Sequence, residues 1–184
     1  MRRMTITLFL IAIASHAAHA QKYKLGHAPS KELLEAWDID VRPDGAGLPP
    51  GKGTVKQGQQ IYASNCAACH GDNGEGKRVE GAAGIFDRLV GGTGTLDKPN
   101  PVMTVGSFWP YATTVFDYVR RAMPFTAPQS LNADEIYAVT AYLLFLNKIV
   151  PEDAILDAKT LSQVRMPNRD GFTTDDPRPD VKSK

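Results

Sequence analysis

Several things are scarce in this chain of 184 residues. Cysteine occurs twice and tryptophan twice. Neither sign of charge dominates, with 21 Lys and Arg against 20 Asp and Glu for a formal charge of +1. No Lys/Arg cluster offsets that balance, which excludes a nucleic-acid binder that works by phosphate neutralisation. Beyond residue 20 there is no run of about 20 apolar residues of the kind that spans a bilayer, so the mature chain is expected to be soluble. No sustained alternation of apolar and polar residues marks a strand. What remains, 42% hydrophobic and 22% charged residues, suits one ordinary soluble domain rather than a coiled coil, a disordered polymer or a two-domain enzyme.

The first 20 residues read differently. Arg2 and Arg3 precede an apolar run from Ile6 to Ala14, and Ala18-His19-Ala20 forms a small-x-small cleavage site. This is the three-part pattern of a secretory signal peptide, expected to be cleaved after Ala20, and the run is too short for a membrane-spanning helix. Cleavage removes two arginines and leaves the exported chain slightly acidic. Export also places the cysteines in an oxidising compartment.

The mature chain divides into a polar N-terminal arm (21–53), a central domain (54–150) and a Pro- and charge-rich C-terminal extension (151–184). Pro29-Ser30 opens a short helix over Lys31–Trp37, and Trp37 is expected to pin the arm. A helix is predicted from Val55 to about Ala68, with Val55, Ile61 and Tyr62 as anchors and Gly58 permitting close approach of another helix. Between His70 and Pro110 lie nine glycines and no sustained periodicity. A loop of this length makes sense if it wraps a large prosthetic group in place of a protein core. Ala112, Phe116, Val119 and Met123 share a helical face, predicting a helix from about Tyr111 to Ala122 that Pro124 stops. The last helix carries Asn132 as cap, Glu135 completing a capping box, Leu131 stapling to Ile136, and an apolar body from Ile136 to Leu146.

The two cysteines stand as Cys66-Ala-Ala-Cys69-His70. In Cys-x-x-Cys-His the thiols lie one helical turn apart, and each can add to a haem vinyl group to form a thioether. The adjacent histidine then meets the iron from the same side, which makes covalent attachment of one c-type haem the standard reading. A structural zinc site needs four ligands, and the mature chain offers Cys66, Cys69, His70 and His27, with the consecutive pair Cys69–His70 poorly suited to a tetrahedron. A thioredoxin-like pair needs a strand before Cys66, where none is predicted. A plain disulfide leaves the long loop and His70 unexplained.

A second axial ligand must come from elsewhere. His27, Met103, Met123 and Met166 are the mature candidates, Met4 being lost with the signal. Met123 is favoured: it ends a helix that delivers it to the opposite haem face, and His/Met ligation is the usual electron-transfer arrangement in c cytochromes. A thioether favours ferrous iron and raises the potential. Two filled axial positions leave no site for substrate, so single-electron exchange rather than catalysis is expected. His70 is expected to donate its remaining ring N–H to a loop carbonyl. Trp109, Tyr111 and Arg88 are candidates to hold the propionates.

The chain resembles the class I cytochromes c. Gly58 and Tyr62 precede Cys66-x-x-Cys69-His70, followed by Gly71, Gly74, Gly76, Met123-Pro124 and Ala141-Tyr142-Leu143. Within that class it is similar to the cytochrome subunit of periplasmic sulfite or sulfane dehydrogenases of the Sox type. The matching stretches are Ala36–Gly45, Val105–Thr114, Phe116–Phe125 and Val164–Phe172. The resemblance implies an all-α cytochrome c domain around one covalent haem c, with irregular N- and C-terminal arms. It implies a periplasmic electron carrier, not itself an enzyme, that accepts electrons from a molybdenum-cofactor dehydrogenase and passes them to a soluble cytochrome or terminal oxidase. The alternatives are a carrier for another periplasmic dehydrogenase and an open-haem peroxidase or sensor. Two departures stand out. The Sox subunit is commonly larger with two haems, and Gly84–Gly92 lacks the proline that many class I cytochromes use to bond the axial histidine. The arms exceed what the haem fold needs; they either dock a partner or shield the haem.

Overall fold

A computed structural model describes residues 25–78 and 85–173. The expected signal peptide lies outside the described residues. Two compact units divide between Asp38 and Ile39. The first contributes α1 (Lys31–Trp37), as predicted, capped by the Ser30 hydroxyl accepting from the Leu33 N–H. None of its residues is buried.

The second unit begins with β1 (Lys52–Thr54) and α2 (Val55–Asn65), which starts at a reciprocal capping box between Thr54 and Gln57. A box of this kind satisfies two of the orphan amides of a helix start. Val55, Gly58 and Tyr62 are buried, at i, i+3 and i+7, so one stripe faces inward. The helix ends three residues earlier than predicted. Cys66 leaves helical geometry at φ −124°, and a separate turn, α3 (Ala67–His70), follows. After short strands β2 (Lys77–Arg78) and β3 (Ile85–Phe86) come α4 (Ala112–Ala122) and α5 (Ala133–Leu146). The predicted Asn132–Glu135 capping box is present at the start of α5, and Leu131 packs on the core beside it.

α2 crosses α5 at Gly58, where an added Cβ would overlap the Ala138 carbonyl oxygen. Gly58→Ala gains about 1 kcal/mol in helix propensity. It must also force two backbones apart, an overpacking cost of about 1–3 kcal/mol. The expected net result is a lower denaturant midpoint for the holoprotein, whereas Gln59→Ala on the exposed neighbouring position leaves it within about 0.5 kcal/mol.

No strand was expected, and the structure holds two small ladders. β1 pairs antiparallel with β4 (Ile155–Asp157), Gly53 opposite Leu156, and β2 pairs with β3. Ladders of two or three residues are too short for alternation to show in a sequence. β4 leads into α6 (Ala158–Ser162), capped by Asp157. Leu156, Leu161 and Met166 are buried with Phe116, Tyr137 and Leu144 in one core. Residues beyond the last long helix therefore help to build the domain. Among the described residues no helix is long and apolar enough to cross a membrane.

Candidate haem site

Cys66 sits at the junction of α2 and α3, and Cys69 and His70 lie in α3. The Cys69 and His70 amides donate to the Cys66 carbonyl at 3.1 and 2.9 Å. This closed turn sets the three side chains at i, i+3 and i+4, neighbours on one face. Gly71 follows at φ +82°, a conformation costly for residues with a Cβ. Its carbonyl accepts from the buried Tyr62 hydroxyl at 2.8 Å, which fastens the turn to α2.

The His70 ring is held by a backbone partner. Nδ1 lies 2.9 Å from the Asp87 carbonyl oxygen. A carbonyl accepts and cannot donate, so Nδ1 carries the proton and Nε2 keeps its lone pair for a metal. The expected loop carbonyl is thus present, at a position that the missing proline had left unnamed. The Gly76 amide also donates to the His70 carbonyl at 2.8 Å.

Met123 caps the C-terminus of α4, its N–H donating to the Val119 carbonyl at 3.1 Å. Cys66, Cys69, His70 and Met123 all line one cavity of about 380 Å³, within the range of small-molecule and cofactor sites. Val115 and Val119 of α4, Val139 and Leu143 of α5, and Val105 of the loop supply apolar walls. Of the other ligand candidates, Met103 also lines the cavity and is 58% exposed. Met166 is 1% exposed within the core and does not line it. Arg88 and Trp109, two of the propionate candidates, line the cavity. Tyr111 does not: it lies under the Arg169 guanidinium, 4.2 Å from the ring centroid, and bridges to Arg165.

The rival chemistries fit less well. Among the described residues no group of three or more His, Cys, Asp or Glu could hold a metal ion, which leaves a four-ligand zinc site without its set. Cys66 and Cys69 are not bridged, and a helix rather than a strand precedes them. Burial, with Cys69 adding, pushes the Cys66 thiol up to about 11. A thiol so held is un-ionised at neutral pH and unsuited to thioredoxin-like attack. An apolar cavity, two thiols one turn apart and an oriented imidazole do fit a covalently attached haem.

Sequence reading missed the supports of the loop. Asn147, at the end of α5, accepts from the Gly91 N–H at 3.0 Å and donates to the Leu89 carbonyl at 3.1 Å. The Thr104 hydroxyl donates to the Gly91 carbonyl and accepts from the Gly106 and Ser107 amides. These residues hold main chain against main chain, and an isolated Asn or Thr gives no periodic signal of that.

A helical domain with these residues around one cavity defines the class before any comparison. The family described as cytochrome c oxidase, cbb3-type, subunit III matches residues 53–143, and the chain belongs to the class I cytochromes c. The more particular likeness is to a chain in the crystal structure of the sulfane dehydrogenase SoxCD from Paracoccus pantotrophus. The two are 46% identical with a TM-score of 0.76, over 84% of this chain and 73% of that one. A thiosulfate dehydrogenase from Stutzerimonas stutzeri is 32% identical over 95 residues, 52% of this chain and 28% of that protein. FixP, a cbb3-type cytochrome c oxidase subunit of Bradyrhizobium diazoefficiens, is 42% identical over 45 residues, 24% of this chain and 16% of that protein. The chain thus spans 28% and 16% of the length of these two curated relatives. The expected class and helical fold are borne out; the chain is a cytochrome c electron-transfer domain, a family that carries covalently bound haem c.

Proposed function

We propose that this chain is a periplasmic monohaem cytochrome that accepts single electrons from a molybdenum sulfite or sulfane dehydrogenase and passes them to a soluble cytochrome or terminal oxidase. In this reading the Cys66 and Cys69 thiols carry the haem as thioethers. His70 Nε2 and the Met123 sulfur would bind its iron, and residues 54–150 together with β4 and α6 would form the haem domain. The bound haem supplies a one-electron ferric/ferrous couple. The observation that supports the reading is that His70, its ring oriented by the Asp87 carbonyl, and Met123 line one cavity. With both axial positions filled the protein is a relay rather than an enzyme.

The donor is inferred from the likeness to the sulfane dehydrogenase, reinforced by that to a thiosulfate dehydrogenase. Each two-electron oxidation at the donor would call for two one-electron transfers to this chain, since its one haem would hold a single ferric/ferrous couple. Met103, Tyr118 and Phe125 line the cavity while remaining exposed, an apolar rim suited to brief contact with a donor. The Arg2–Arg3 start, the apolar run and the Ala18–Ala20 site support export.

The second reading, direct oxidation at an open haem, takes its support from the relative named a thiosulfate dehydrogenase. Stopped-flow mixing of the ferric holoprotein with sulfite or thiosulfate separates the two. The relay reading expects reduction at catalytic rates when the molybdenum dehydrogenase from the same source is added, and slow or no reduction without it. Fast reduction by thiosulfate alone contradicts it.

A further inference from the structure

α4 has two working faces. Val115, Val119 and Met123, spaced i, i+4 and i+8, line the cavity together with Tyr118. Thr113, Asp117, Arg120 and Arg121, spaced i, i+4, i+7 and i+8, lie on another face. An isolated amphipathic helix leaves such polar residues to water. Here they hold the segment 39–43. The Thr113 hydroxyl donates to the Pro43 carbonyl at 3.1 Å. Asp117 accepts from the Val41 N–H at 2.9 Å in a buried bond. Arg120 donates to the Ile39 carbonyl at 3.0 Å. Arg121 bonds both Asp40 and Asp117, at 2.9 and 2.8 Å. The segment runs antiparallel to the helix, Pro43 near its start and Ile39 near its end.

Three of these contacts go to main-chain atoms of the segment, so the recognition is written in α4 rather than in the arm. They concentrate on the last two turns, the part that delivers Met123. Beyond Met123 the support is thin: residues 125–130 are exposed, and their backbone bonds are the local ones Ala127 to Pro124 and Ser130 to Ala127. The position of the Met123 sulfur is therefore set from the α4 side. Asp117 is only 9% exposed, where a hydrogen bond to a charged group is worth more than at the surface.

We infer that segment 39–43, gripped by Asp117, Arg120 and Arg121, is a splint that holds the last turn of α4 and thereby keeps Met123 on the haem iron. This rests on the reading of Met123 as axial ligand. Asp117, Arg120 and Arg121 are positioning residues, since they act through α4 and touch neither the iron nor the cavity.

The test is the affinity of the ferric holoprotein for imidazole, which must displace the sixth ligand, measured with thermal unfolding on the same samples. Asp117→Ala, which loses both carboxylate bonds, is expected to bind imidazole about tenfold more tightly. Asp117→Asn keeps an oxygen for the Val41 N–H and stays within about threefold of the parent. Arg120→Met, which keeps the apolar stem and loses the Ile39 bond, shifts affinity in the same direction as Asp117→Ala and serves if that variant does not fold. Met123→Ala anchors the scale. Tight binding in Met123→Ala, with parent-like affinity but a lower unfolding temperature in the Asp117 and Arg120 variants, overturns the splint alone. Parent-like affinity in Met123→Ala overturns the ligand reading and the splint with it.

Discussion

Met123→Ala is expected to yield a cytochrome that still carries its haem, because Cys66, Cys69 and His70 are untouched, but whose potential has fallen. A thioether prefers ferrous to ferric iron, and water or a vacant site does not. Losing a preference of roughly fiftyfold lowers a one-electron potential by about 100 mV, at 59 mV per tenfold. The ferric protein is also expected to bind imidazole or cyanide far more readily. Met103 lines the same cavity and is the nearest substitute sulfur in chemical kind, so the variant is best compared with Met123→Ala/Met103→Ala. Potentials that agree between single and double variants exclude capture of the iron by Met103. An unchanged potential and spectrum in Met123→Ala contradict the assignment.

The second large effect is on stability. Cys66→Ala/Cys69→Ala removes both attachment points and is expected to give a chain without covalent haem. The cavity of about 380 Å³ then loses its contents. At about 24 cal/mol per Å³ of unfilled volume, the penalty is on the order of 9 kcal/mol, an upper figure because the cavity is open on one side. That is comparable with the whole stability of an ordinary domain, roughly 5–15 kcal/mol. The double variant is therefore expected to lose its cooperative thermal transition and near-ultraviolet aromatic circular dichroism, or to unfold tens of degrees below the holoprotein. A cooperative transition within about 5 °C of the holoprotein contradicts the view that the haem completes the core.

The helices were legible where local chemistry and periodicity agree. Asn132 and Glu135 announce the start of α5, and Pro124 announces the end of α4, because caps and prolines act within a few residues of themselves. The Cys66–His70 turn was legible for the same reason, its spacing being set by what it binds. Three things were not. The early end of α2 at Cys66 follows from the separate α3 turn, and no residue type there breaks a helix. The partner of the His70 ring is a main-chain carbonyl at Asp87, which every residue possesses and no sequence distinguishes. The grip of α4 on segment 39–43 spans about 80 residues of chain and looks, in sequence, like a solvated charged face. The C-terminal segment also read as irregular although Leu156, Leu161 and Met166 join the core; single apolar residues among prolines and charges make no pattern. Local order is written in neighbouring residues, while a carbonyl partner or a distant segment emerges only after folding.

Spectroelectrochemical titration of the exported holoprotein tests the central claim most directly, since it reads ligation and electron count together. A haem on Cys66 and Cys69, bound by His70 and Met123, predicts one reversible one-electron wave, with low-spin spectra in both oxidation states and a sulfur-to-iron absorption in the ferric form. High-spin spectra in either state, or a wave displaced by carbon monoxide as readily as in an open haem, would contradict it.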